Sequence, residues 1–172
     1  MTPFNLQQWI EANRAAFSGP VANKEVFPES EFIFQIIRGP NARNDFHVDP
    51  GDEIFYQLKG DIRVDVMENG RRKQNLVREG DVLLVPARVP HSPLRPAGSW
   101  GLVVERKRRP DELDGILWFC ERCDAKLFER QFPCTNIETE IRSAIDEFYS
   151  RAEHRTCKSC GAVLEKPGEF RL

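Results

Sequence analysis

Four of the five cysteines fall into two Cys-x2-Cys pairs, Cys120-Glu-Arg-Cys123 and Cys157-Lys-Ser-Cys160, with 33 residues between them. A Cys-x2-Cys turn points both thiolates to one side, and two such turns complete a closed tetrahedral four-sulfur site for zinc or iron. Gly161, next after Cys160, lets the backbone fold back toward the sulfurs. A closed site has no room for substrate, so its expected role is structural: it pins the intervening excursion onto the tail. Cys134 and His154 are spare donors without matching spacing. The chain has three histidines, and the other two sit in segments dense with charge and turn residues. His47 lies in Arg43-Asn-Asp-Phe-His47-Val-Asp-Pro-Gly-Asp-Glu53-Ile-Phe-Tyr-Gln-Leu-Lys-Gly60, and His91 ends Gly80-Asp-Val-Leu-Leu-Val-Pro86-Ala-Arg-Val-Pro-His91.

These two segments resemble the paired motifs of the cupin superfamily. The first has its histidine, the glutamate six residues later and the glycine seven beyond that. The second has its Gly-x5-Pro followed five residues later by histidine. The usual His-x-His is broken by Asp49, which reads better as a turn or supporting residue than as a fourth ligand. The ligand set the resemblance implies is His47, Glu53 and His91. Two imidazoles and one carboxylate form a facial triad that leaves three cis positions open, which suits non-haem Fe(II) binding both a substrate and dioxygen. Zinc of the hydrolase type takes the same ligands.

The likeness tightens in the first of those segments, in His91-Ser-Pro-Leu-Arg95-Pro and in Val103-Val-Glu105-Arg. These stretches resemble the 3-hydroxyanthranilate 3,4-dioxygenase family, and the similarity runs through nearly the whole chain, including the cysteine pairs of its short members. The resemblance implies a substrate, 3-hydroxyanthranilate, whose carboxylate is held by Arg43 and Arg95 and whose ring hydroxyl meets Glu105. It implies ring opening by O2 between carbons 3 and 4, giving 2-amino-3-carboxymuconate semialdehyde on the tryptophan-to-NAD route. It also implies Fe(II) at the triad, a rubredoxin-like Fe or Zn at Cys120, Cys123, Cys157 and Cys160 that ring opening does not need, and a homodimer. An arginine fork grips a planar carboxylate with charge-assisted bonds, so two arginines orient an aromatic acid without touching its reacting carbons.

The elements that must position these residues are short. Leu6, Trp9, Ile10 and Phe17 recur at helical spacing behind Asn5, with Gln8 completing a capping box, so residues 5–17 are expected to be helical. Runs rich in Val, Ile and Phe follow, at 31–37, 54–58, 61–67, 82–85 and 102–105, punctuated by Gly, Pro and Asn. In 61–67, Ile62, Val64 and Val66 alternate with Arg63, Asp65 and Met67, which predicts one buried and one wet face, and Asn69-Gly70 predicts a hairpin turn. Residues 18–30 read as a connector able to cover a pocket mouth; Phe46, Phe55 and Tyr56 read as core or pocket wall. After Pro110 one helix is predicted, with Thr135 and Glu138 as its capping box and Ile137, Ile141, Ile145 and Phe148 on one face. The expected architecture is mainly β: a double-stranded β-helix or jelly-roll barrel with flanking helices at 1–110, and a small extension carrying the four cysteines at 111–172.

Composition bounds the rest. A net charge of -2, with both signs interspersed, gives no reason to expect a nucleic-acid partner. No basic start leads into an apolar run and no apolar stretch nears the roughly 18 residues of a membrane helix, so a cytoplasmic protein without a membrane partner is expected. Arg106-Lys-Arg-Arg109, bordered by Glu105, Asp111, Glu112 and Asp114, reads as a solvated strand end. The other functions to weigh are a zinc-ribbon nucleic-acid module, a non-catalytic sensor of the same fold, and a related isomerase or thiol dioxygenase. Acidic residues around the knuckles argue against the first, the triad against the second, and the paired arginines against the last.

Overall fold

The computed structural model describes residues 2–18, 22–41, 43–134 and 137–172, with side chains in the last segment from 140 onward. The first helix, α1, covers Leu6–Ala12 and is capped by the Asn5 side chain, which accepts from the Gln8 N–H at 3.0 Å. The expected single helix ends early: a 3-10 turn at Arg14–Phe17 follows, tightened so that Phe17 packs edge-on against Trp100 at 5.1 Å.

Eleven strands follow among the described residues, and they correct the expected architecture. Strands β1 (Asn23–Glu25), β2 (Phe32–Arg38), β4 (Glu53–Lys59), β7 (Val82–Val85) and β9 (Trp100–Arg106) form one antiparallel sheet in the order β1-β2-β9-β4-β7. Strands β3 (Asp45–Val48), β5 (Ile62–Glu68), β6 (Arg71–Val77), β8 (His91–Leu94), β10 (Asp114–Phe119) and β11 (Lys126–Phe132) form a second, in the order β11-β10-β3-β8-β5-β6. The two sheets pack through Phe55, Val85 and Val103 on one side and Ile62, Val64 and Val66 on the other, with Leu83 and Val89 shared between. Neither sheet closes on itself, so the barrel and double-stranded β-helix expected from the sequence are not formed. Short strands at regular spacing are compatible with closed and open arrangements alike, and edge chemistry decides. Edge strand β6 begins Arg71-Arg72-Lys73, charges that discourage further pairing.

The hairpin between β5 and β6 turns at Asn69-Gly70, where φ is 51° and 74°, the pair of positive values a two-residue turn of this kind requires. The predicted wet face of β5 is a different matter. Asp65 and Met67 are as buried as the valines. Met67 packs with Phe46, Leu117 and Phe119, and Asp65 is paired to Arg63 at 2.7 Å. In β4 the alternation is clean: Glu53, Phe55 and Gln57 point inward while Ile54 and Tyr56 are exposed, so Tyr56 is not pocket wall.

Strands β10 and β11 are not announced by the sequence pattern, because Asp114-Gly-Ile-Leu-Trp-Phe119 is apolar without alternation. All six residues are buried, with the strand held between β3 and β11 in the sheet. Helix α2 (Ile137–Ser150) buries Ala144 and Phe148 in a cluster with Ile116, Trp118, Phe132 and Leu164, and Phe148 stacks on Trp118 at 4.2 Å. The capping box expected for α2 lies outside the described residues. A short α3 (Ala152–Arg155) leads into the second cysteine pair. No described helix is long and apolar enough to cross a membrane.

Candidate metal centres and substrate cavity

Two cross-strand pairs face one another between the sheets. His47 on β3 is directly opposite His91 on β8 in one sheet, and Glu53 on β4 is directly opposite Glu105 on β9 in the other. The period of two along each strand turns all four side chains inward, and each is buried.

His47 and His91 are held by opposite ring nitrogens. Nε2 of His47 donates to Asp114 Oδ2 at 2.7 Å, which leaves Nδ1 facing Glu53 Oε1 at 3.4 Å. Nδ1 of His91 donates to the Val89 carbonyl at 3.0 Å, which leaves Nε2 at 3.0 Å from that same oxygen. Glu53 Oε1 is buried and has no hydrogen-bond partner. Cis ligands at metal bonds of about 2.1 Å stand about 3 Å apart, so an orphaned carboxylate oxygen with two imidazole nitrogens at these distances fits a metal ion. The field agrees. Burial works against charge on His47, yet its hydrogen bond to Asp114 and the nearby negative charge of Glu53 hold its pKa up to about 10. Burial and the neighbouring carboxylates of Asp49 and Glu53 push Glu105 up to about 9, against the pull of Arg108. The pocket holds protons where a divalent cation would displace them.

A cavity of about 390 Å³ opens over these groups, within the roughly 300–1,000 Å³ typical of small-molecule sites. Its apolar wall includes Ile37, Phe55 and Val103, and Arg43, Arg95, His47, Glu53, His91 and Glu105 supply its polar lining. Arg95 is 1% exposed, donates through Nη1 to Gln57 Oε1 at 3.3 Å, and leaves Nε without a partner. It makes no ion pair among the described residues. Burial and the nearby charge of Arg43 lower its pKa to about 10. A buried cation left in this state is poised for an anionic ligand. Arg43 also lines the cavity, anchored by an ion pair with Asp45.

Asp49 as a turn residue and the connector over the pocket mouth agree with the sequence reading, whereas other contributors are not foreseen by it. Gln57 steers Arg95. Gly101, opposite Gln57 on β9, gives Arg95 its path, since a Cβ there would lie 2.5 Å from Arg95 Nη1. The alternation of β4 marks Gln57 as inward; nothing local marks Gly101. Ala22 and Asn23 of the expected connector line the cavity, as do Ile141, Arg142 and Ile145 of α2. Asp49 ties a turn, its Oδ1 accepting from the Gly51 N–H at 2.5 Å. Most unexpected is Arg108, whose side chain is 7% exposed and ion-paired with Asp49, Glu105 and Asp114, so the basic run is not wholly a solvated strand end.

The cysteines form a second centre. Sγ atoms of Cys120 and Cys160, Cys123 and Cys157, and Cys123 and Cys160 stand 3.6, 3.6 and 3.5 Å apart. A tetrahedron with metal–sulfur bonds of about 2.3 Å has edges of about 3.8 Å, whereas a disulfide needs about 2.05 Å. The knuckles match in backbone. Asp124 and Gly161, each next after the second cysteine of its pair, have φ of 59° and 73°, and their N–H groups donate to the carbonyls of Cys120 and Cys157. Backbone N–H groups of Cys160 and Ser159 hold the Cys157 thiol down to about 6, ready to ligate as thiolate.

A two-sheet β protein with a buried centre of two histidines and a glutamate under a cation-lined cavity belongs to the class of metal-dependent enzymes acting on small anionic molecules. Comparison makes the assignment specific. The sequence model of the 3-hydroxyanthranilic acid dioxygenase family matches residues 1–149, and the chain belongs to that family. A 3-hydroxyanthranilate 3,4-dioxygenase of Bacillus thuringiensis (strain Al Hakam) is 46% identical over 170 residues, covering 98% of this chain and 95% of the relative. One from Xanthomonas campestris pv. campestris (strain B100) is 44% identical over 168 residues, covering 98% and 95%. Among solved structures, a protein of Neisseria meningitidis shares the fold at a TM-score of 0.50 and 22% identity, over 62% of this chain and all of its own.

Proposed function

We propose that the chain opens the ring of 3-hydroxyanthranilate with dioxygen at a mononuclear Fe(II) held by His47, Glu53 and His91, forming 2-amino-3-carboxymuconate semialdehyde. The observation that carries this is the pairing, in one cavity, of an orphaned Glu53 oxygen facing two imidazole nitrogens with a buried, ion-pair-free Arg95. Fe(II) held by His47, Glu53 and His91 would supply room for substrate and dioxygen and the redox chemistry that activates dioxygen.

The chain's own residues do the positioning. Arg95 grips the substrate carboxylate with the donors it leaves unused, and Arg43 closes on the same group, fixing the ring before oxygen enters. Phe55, Val103 and Ile37 cover the ring faces and exclude water. Glu105, across from Glu53 and paired with Arg108, would accept the ring hydroxyl proton. Both atoms of O2 enter the product, so no outside reductant is needed.

The cysteine centre takes Fe or Zn and holds residues 124–156 to the end of β10; the extension from residue 111 adds β10 and β11 to the second sheet and so braces the site. Four thiols grouped for a metal and Cys134 outside any disulfide support a reducing, cytoplasmic setting. Exposed Ile54 and Tyr56 on β4, beside Val82 and Leu84 on edge strand β7, support a homodimer through that face. The deciding experiment is anaerobic loading with Fe(II), then 3-hydroxyanthranilate in air. A semialdehyde chromophore with one O2 consumed per substrate is expected; substrate binding without turnover would assign the cavity to another reaction.

A further inference from the structure

Arg108 does not line the cavity, yet its guanidinium is fully engaged behind it. Nε and Nη2 fork onto Asp114, at 2.9 Å to Oδ1 and 2.7 Å to Oδ2. Nη1 donates to Glu105 Oε2 at 2.7 Å, and Nη2 stands 2.5 Å from Asp49 Oδ2. Each carboxylate has a second role, two of them at the site itself. Asp114 Oδ2 accepts from His47 Nε2, Glu105 lines the cavity, and Asp49 ties the turn at Gly51.

We propose that Arg108 is a positioning residue for the ring-opening reaction, holding Glu105 in its cavity-facing orientation and Asp114 against His47. One cation thereby sets both the group that meets the substrate hydroxyl and the imidazole that meets the metal. The inference rests on the function proposed above. A guanidinium is required because its planar fork bonds Asp114 and Glu105 along separate directions while its charge stands against Asp49; a lysine ammonium of equal charge is a point donor and leaves part of the cluster unpaired. Without Arg108 three buried carboxylates repel one another, and Glu105 turns from the position substrate needs. Arg43 is paired with Asp45 and Arg95 with Gln57, and among the described residues neither is bonded to Arg108, so the substrate carboxylate is still gripped.

The test compares wild type with Arg108→Lys, Glu105→Gln and the double variant, each carrying its cysteine-site metal as the check of folding. Arg108→Gln replaces the lysine variant if that protein loses the cysteine-site metal. Turnover per active-site metal and anaerobic 3-hydroxyanthranilate binding are measured, and Co(II) is titrated into the empty His–Glu centre by its visible bands, a readout independent of turnover. Arg108→Lys is expected to lower kcat about 100-fold with substrate affinity within about 3-fold, and to cost less than about 3-fold in kcat when Glu105 is already Gln. Co(II) affinity is expected to fall about 10-fold in either background, through Asp114 and His47. Equal losses of kcat in both backgrounds, or unchanged Co(II) affinity, would overturn the proposal. A wild type that loads iron but does not turn over 3-hydroxyanthranilate sinks the functional assignment instead, and the Co(II) arm then still decides whether Arg108 orients His47.

Discussion

The His–Glu centre draws its donors from three strands of two sheets, whereas the cysteine centre draws its four from two turns of the same design. In the first, each ligand stands on its own strand, and the imidazoles are aimed by Asp114, 67 residues beyond His47, and by the Val89 carbonyl. In the second, aim is local: each knuckle is shaped by hydrogen bonds within five residues. A centre assembled over long range depends on the whole sandwich and tolerates little change at a distance. A centre assembled from turns depends on its metal more than on its surroundings.

The most severe way to separate the two is His47→Ala or His91→Ala. Either is expected to lower activity by at least about 1,000-fold by emptying the His–Glu centre, while metal analysis finds the cysteine centre full. Loss of both metals would break the contrast. Next comes Arg95→Ala, expected to lower kcat/KM by about 100- to 1,000-fold, mostly through KM, with iron retained; steady-state kinetics beside iron analysis tests this. Gly101→Ala sharpens the long-range claim without touching a donor. Its methyl group displaces Arg95, and a roughly 10-fold rise in KM at unchanged iron content is expected. Cys157→Ser acts on the other side, lowering cysteine-site metal and the thermal midpoint by several degrees while turnover per active-site iron stays within about 3-fold of wild type.

The smallest effect is a pH slope. Glu105 is raised from 4.5 to about 9 and His47 from 6.5 to about 10 in the metal-free fold. Each therefore binds its proton more tightly folded than unfolded. Glu105 contributes stability below about pH 4.5 that is lost as pH rises to 9, and His47 contributes stability below 6.5 that is lost as pH rises to 10. Metal-free protein is thus expected to weaken between pH 6.5 and 9 in urea melts, and Glu105→Gln to flatten that slope. A slope that persists unchanged in Glu105→Gln would assign it to other groups.

The same contrast explains what the sequence discloses. The cysteine centre is legible because its geometry is local: Cys-x2-Cys dictates where both sulfurs point. His47, Glu53 and His91 stand out by resemblance, and the inward period of β4 agrees with Glu53 and adds Gln57. Asp114 and Arg108 are hidden because their partners come from other strands, and an arginine among Arg106, Lys107 and Arg109 looks like any solvated charge. Asp65 and Met67 escape the pattern for a related reason: alternation reports one covered face, and it fails where a strand is covered on both. Closure of the sheets is beyond the pattern too, since strand spacing carries no information on whether end strands meet.

Strand β10 carries Asp114 at one end and leads into Cys120 at the other, six residues or about 20 Å along. It therefore acts as a ruler between the two centres. A deletion of one residue within it inverts every following side chain across the sheet, so that Asp114 and Cys120 can no longer both meet their partners. Substitutions along Gly115–Phe119 are open to drift as long as they fill the same space. The length of the strand is not, because two unrelated pieces of chemistry read their position from it.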